Sequence, residues 1–178
     1  MTRDIQHMPY GYEPPANERK GTLIFYDSFE HISDMELLKA AETAVDRRFM
    51  KLVLYPLHEE TVRRMTKEPV KAWYKRDDRL HEWKKEQGQS FITVESLEGK
   101  RKKYTPLDSA LRHISDIYPA PYFLYLTPHM ANQFASFSSF EEWIVKLRLL
   151  LSEAPAEVHP RLEKFRHRWD VAGAPPKA

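Results

Sequence analysis

The chain has 178 residues, no cysteine and a formal charge of +2. That length suits one domain with its own core, and the missing cysteine excludes disulfides, thiolate catalysis, zinc–thiolate sites and iron–sulfur clusters within it. With 42% apolar and 30% charged residues the composition is globular, neither disordered nor fibrous, and the basic excess is weaker than that of a dedicated nucleic-acid binder.

Residues 1–20 read as an extended arm, because Pro9, Pro14 and Pro15 disfavour helix and Tyr10-Gly11-Tyr12 is a loop signal. The first seven residues lead into no apolar h-region. No stretch reaches the roughly 18–20 apolar residues that span a bilayer. The expected compartment is therefore the cytoplasm. Residues 21–26 (GTLIFY) form a first buried strand, followed by a loop. Ser33-Asp34-Met35-Glu36 is a capping box, and the helix it opens runs to about residue 49. Residues 51–55 (KLVLY) are a second strand, which Pro56 ends.

Residues 58–65 start another helical stretch. The charged segment 66–88 carries Trp73, Tyr74 and Trp83, and 77–87 is helical with Gly88 closing it. Residues 90–94 are a third strand. A turn at Glu98-Gly99 then leads through Lys103-Tyr104 into a short hairpin partner. Thr105-Pro106-Leu107-Asp108 supplies a cap, a Pro at N1 and an acid at N3, for a helix to about residue 118. Residues 122–126 (YFLYL) are the next strand, and Thr127-Pro128 begins a loop. Ser139 opens a helix expected to reach about residue 152. A last helical piece covers about 160–169, and 172–178 form a frayed tail.

Short strands that are apolar on both faces, separated by helices, indicate a parallel sheet between helical layers. The expected fold is α/β: a three-layer α-β-α arrangement, doubly wound, with a mostly parallel sheet of about four to five strands. The expected division is an arm at 1–20, the α/β domain at 21–152, and a C-terminal helix and tail at 153–178 packed on or flanking the domain.

In such folds ligands bind beyond the carboxyl ends of the strands. The loops at that edge hold Asp27, His31, His58, Glu59 and His129. Imidazoles suit acid–base work or phosphate contact, so His31 and His58 are the candidate catalytic groups, with Glu59 or Asp27 orienting them. Ser33 and Thr105 sit at helix N-termini, which attract anions, and Lys100, Arg101 and Lys103 supply counter-charge. With His129 these six are the candidate ligand-binding residues. The expected ligand is small and anionic, of the phosphorylated class, and nothing names a cofactor. A His/His/carboxylate metal site from His31, His58 and Glu59 or Asp27 is a further option.

Residues 29–34 follow a strand and precede a helix, as the His-x-Gly-His loop of nucleotidylyltransferases does. Ser33 stands for the glycine and Asp34 for the second histidine, so that motif is absent. Walker A, G-x-G-x-x-G and G-x-S-x-G patterns are absent too. Two other classes remain open. One is a protein-interaction or regulatory module, contacting a partner or a second copy through Tyr10, Tyr12, Leu162, Phe165 and Trp169. The other is RNA binding through Arg63, Arg64 and the basic loop. The aromatics and bases of 67–85 fit single strands, but Glu68, Asp77, Asp78, Glu82 and Glu86 nearly neutralise them.

Overall fold

The computed structural model of the chain describes residues 20–173. The expected arm, apart from Lys20, and the last five residues of the tail lie outside them. Six strands form one parallel sheet: β1 (Lys20–Asp27), β2 (Phe49–Pro56), β3 (Ile92–Val94), β4 (Tyr122–Leu126), β5 (Arg148–Leu151) and β6 (Trp169–Val171). Their order is β3-β2-β1-β4-β5-β6, that of doubly wound sheets whose two halves diverge from the first strand. The three-layer α/β expectation holds, with six strands rather than four or five.

Helices cover both faces. Between β1 and β3 come α1 (Asp34–Asp46), α2 (Glu59–Val62) and α3 (Trp73–Gln87); α4 (Leu97–Arg101) and α5 (Leu107–Ile117) lead to β4. Beyond it lie α6 (Pro128–Ser136), α7 (Phe140–Ile144) and α8 (Pro160–Lys164). Because side chains alternate along a strand, each strand feeds two cores. Leu23, Phe25, Leu52 and Leu54 pack with Leu37 and Ala40 of α1 and Leu80 and Trp83 of α3. Ile24, Val53, Leu124 and Leu149 pack on the other face with Leu111 of α5, Phe134 of α6 and Ile144 of α7.

Four local expectations are corrected. The helix opened by Ser139 ends at Ile144, and Arg148–Leu151 is strand β5. Leu149 and Leu151 face one core and Leu150 the other, the two-sided burial of a central strand, which periodicity alone does not separate from a buried helix. The helix expected at 160–169 ends at Lys164; a 3₁₀ turn, Arg166–Arg168, then feeds β6. The C-terminal segment thus completes the sheet instead of flanking it. The segment after Thr127 is helical from Pro128, with the Thr127 side chain accepting from the Met130 amide.

The expected hairpin at 98–104 is instead the short helix α4. Glu98, within it, is 1% exposed. Gly99 makes no turn. It is the place where α4 meets an indole: a Cβ there would collide with the Trp73 ring. That indole donates from Nε1 to the Pro56 carbonyl at 2.9 Å, so α4, α3 and the end of β2 share one contact. Gly99→Ala is expected to lower unfolding free energy by about 1–3 kcal/mol, the usual cost of overpacking, and to shift Trp73 emission. Urea denaturation followed by fluorescence checks both.

Candidate functional site

The carboxyl edge of the sheet is tied together by one cation. Arg76 shares a helical stripe with Leu80 and Trp83 of α3 and is 3% exposed. Its Nη1 donates to the carbonyls of Ser28 at 2.7 Å and Leu57 at 2.6 Å. Nε donates to the Lys71 carbonyl at 2.9 Å, and Nη2 to Glu59 Oε1 at 3.2 Å. The loops after β1 and β2 and the lead-in to α3 therefore converge on one guanidinium. Glu59 also accepts from the Trp73 amide at 2.8 Å, which fixes the start of α3. Burial lowers the pKa of Arg76, and the Glu59 carboxylate opposes that shift.

Beside this clasp lies a cavity of about 700 Å³, lined by residues 29–33 on one side and by Lys71, Lys75, Arg76 and Arg79 on the other. Lys71, Lys75 and Arg79 are spaced four apart, so the last two stack one turn above another on α3 and Lys71 precedes it. Arg79 pairs with Asp34 at 2.7 Å. The ammonium groups of Lys71 and Lys75 make no ion pair among the described residues. The one carboxylate on the wall, Glu30, accepts from the Lys71 amide at 2.9 Å.

The opposite wall is shaped by Asp27. Its Oδ1 accepts from the Phe29 amide at 2.9 Å, an Asx turn that holds Phe29 at a φ of 64°, uncommon for a bulky residue. The Phe29 ring is buried 4.9 Å from that of Phe25, and its backbone carries the chain to Ser33. There the expected capping box is present: the Ser33 hydroxyl accepts from the Glu36 amide and Glu36 accepts from the Ser33 amide. Burial pushes the Asp27 carboxyl up from 3.8 to about 6, against the pull of the Phe29 amide and Ser28.

Of the residues expected at the site, the cavity gathers His31, which is exposed, and Ser33, whose hydroxyl serves the cap. His58 is not on its wall. It caps α2, with Nδ1 accepting from the Glu60 amide at 3.1 Å and Nε2 3.8 Å from Glu59. Glu59 is committed to Arg76 and Trp73, and Asp27 to the turn. Thr105 is fully buried and does not cap α5. Pro106 is the N-cap residue, while the Thr105 amide donates to Thr61 Oγ1 at 3.0 Å and its hydroxyl accepts from Arg101 Nε at 3.0 Å. Lys100, Lys103 and His129 are exposed and do not line this cavity. Among the described residues no three His, Asp or Glu side chains are grouped to hold a metal ion, so the His31, His58 and carboxylate set is not assembled.

Four residues of this edge carry no distinct signal in the sequence. Arg76 was hidden in a run of charges, although its i, i+4, i+7 spacing with Leu80 and Trp83 places it on the inner face. Lys71 and Lys75 were read as part of that near-neutral run. Glu98, read as a turn residue, accepts from the Tyr55 hydroxyl at 2.7 Å and the His58 amide at 2.8 Å. Burial raises its carboxyl pKa, with those two donors opposing the shift.

No protein-family model matches the chain, and no curated protein matches it in sequence. No helix among the described residues is long and apolar enough to cross a membrane.

Arg76→Met keeps the stem and removes the charge, leaving three carbonyls and a carboxylate short of a donor. Loss of one partner of a buried ionic network costs about 3–5 kcal/mol, and urea denaturation should show a loss of that size. A second test uses Asp27. Its native pKa lies above its unfolded value, so the folded state binds the extra proton and stability falls as pH rises from about 4 to about 6. Above that window the cost is constant, at about 3 kcal/mol for a shift of this size. Asp27→Asn keeps the acceptor for Phe29 without the charge. Its stability relative to the parent should grow through that window and level off above it, as read from melts across pH.

Proposed function

We propose that the chain binds a small anion carrying more than one negative charge, of the phosphorylated class, in the cavity beside the Arg76 clasp. The observation that carries this is the convergence of Lys71, Lys75, Arg79 and His31 on a concave wall holding one carboxylate, Glu30, in a chain whose formal charge is only +2. Cations gathered in a concavity with low-dielectric walls focus the field on a bound anion. The volume lies in the range of small-molecule sites, and the place, beyond the end of β1, is where open α/β sheets bind ligands. Arg76 adds a rigid floor. Four of its five N–H groups have acceptors in the fold, which leaves the fifth for a ligand.

Any proton transfer to such a ligand falls to His31, the imidazole on the wall; His58 and Glu59 serve the cap and the clasp. The alternative of a protein-contact module loses two of its expected anchors, since Leu162 is 0% and Trp169 3% exposed. It retains a different surface, the outward Met35, Leu38 and Val45 of α1.

A thermal-shift series with inorganic phosphate, a sugar phosphate and a nucleoside diphosphate tests the proposal. A ligand at a hundredfold excess over Kd adds about 2.7 kcal/mol to stability, so Tm should rise by several degrees. The double charge reversal Lys71→Glu/Lys75→Glu should abolish the rise while leaving the unliganded Tm close to that of the parent, because neither ammonium is paired. Absence of a shift with every phosphorylated compound, or a shift that survives the reversal, overturns the assignment.

A further inference from the structure

A second cavity opens on the other face of the sheet, against the core that holds Leu107 and Phe137. It encloses about 410 Å³ between α2, the start of α5 and the turn before α7. Its chemistry differs from that of the first. Met65, Tyr104, Pro106, Leu107 and Phe137 alternate on its walls with threonines, serines and Asp108, so apolar and polar surface are about evenly matched. Its only cation is Arg64, whose guanidinium lies over the Tyr104 ring at 4.2 Å from the centroid and makes no ion pair among the described residues.

The polar groups on the wall fall into two sets. Thr61 and Thr105 are spent on each other and on Arg101. Asp108 accepts from Trp143 Nε1 at 2.8 Å and pairs with Arg112 at 3.1 Å, so its charge is fixed at the cavity. The hydroxyls of Ser138 and Ser139, by contrast, have no partner among the described residues, and Ser139 heads α7 without using its side chain as a cap. The first turn of α5 is likewise without a side-chain cap, and Leu107 and Asp108, which carry two of its amides, line the cavity.

We infer that this second cavity takes a flat heteroaromatic group of the nucleobase class, stacked on the Tyr104–Arg64 platform with its edge hydrogen-bonded by Ser138, Ser139 and the amides opening α5. Two planar groups already in stacking contact extend naturally to a third. Walls of mixed character with a few unspent donors and acceptors fit a neutral ring that has apolar faces and a polar edge. The same features disfavour a phosphate. The one cation on the wall is already stacked on Tyr104, and Asp108, paired with Arg112, adds no net positive charge. The site is independent of the cationic cavity and faces the opposite helical layer.

The test is amide chemical-shift mapping on the full chain titrated with adenosine and cytidine, with ribose as the non-aromatic control. The expected result is saturable shifts confined to 104–108 and 137–139 with either nucleoside and not with ribose. Tyr104→Ala should abolish them and Tyr104→Phe retain them. Because Tyr104→Ala touches packing, Ser138→Trp provides a second arm: it fills the mouth from an exposed position and should block the shifts with the fold unchanged. Absence of saturable shifts in those segments, equal shifts with ribose, or nucleoside shifts that survive Ser138→Trp, would each overturn the inference. Shifts confined to 29–33 and 71–79 would overturn it while leaving the anion site standing.

Discussion

One buried guanidinium organises the carboxyl edge of the sheet. Where the chain leaves the carboxyl ends of β1 and β2, backbone carbonyls lose their ladder partners and must find donors elsewhere. Arg76 does this for Ser28 and Leu57 together and reaches Lys71 and Glu59 with its remaining edges. A planar fork with donors in fixed directions can meet several acceptors; a lysine ammonium, compact and strongly hydrated, cannot replace it geometrically. The cost of removing that charge from water is opposed by Glu59 and by three carbonyl dipoles, and the arrangement holds only while all four are in place.

The clasp also explains why a cationic cavity exists beside it. With Arg76, Leu80 and Trp83 turned inward, the flanking positions of α3 face the β1–α1 loop, and these carry Lys75 and Arg79. The Asx turn at Asp27 shapes the other wall by fixing Phe29 in a left-handed backbone conformation. A structural cation thus sets the spacing of exposed ones. The neighbouring Glu98 works in the same way with the sign reversed: one buried carboxylate joins β2, through Tyr55, to the start of α2, through the His58 amide.

How much of this could be read from sequence depends on whether the signal was local. β1, β2, β4 and the Ser33 capping box were legible, because apolar β-rich runs and S-x-x-E spacing are short-range signals. β5 and β6 were not. Leu151 continues the helical spacing of Ile144 and Leu147, and only the sheet beside it makes alternation the better solution. Thr105 followed by Pro106 fits a cap in sequence, yet in the fold Thr105 meets Thr61 and Arg101, forty-four and four positions away. The strand-end rule points to His31, and in the fold His31 lies on the wall of the first cavity. His58 was placed there by the same rule, but its ring serves α2. The rule locates loops; it does not say which side chains a loop can release from structural duty.

That distinction separates the groups available for chemistry from those that are not. At this edge Asp27, His58, Glu59, Arg76 and Glu98 are all titratable or charged, and every one has a hydrogen-bonded role in the fold. Perturbed titration is an associational sign of function, but here the raised Asp27 and Glu98 carboxyls have burial as their largest cause and backbone amides as their partners. The residues released from such work are the less conspicuous ones: Lys71 and Lys75 on one face of the sheet, and Ser138 and Ser139 on the other. Ligand contacts come most readily from groups whose hydrogen-bonding capacity the fold has not already used, and among the strand-end candidates that criterion separates His31, on the wall of the first cavity, from Asp27, His58 and Glu59, which serve the turn, the cap and the clasp.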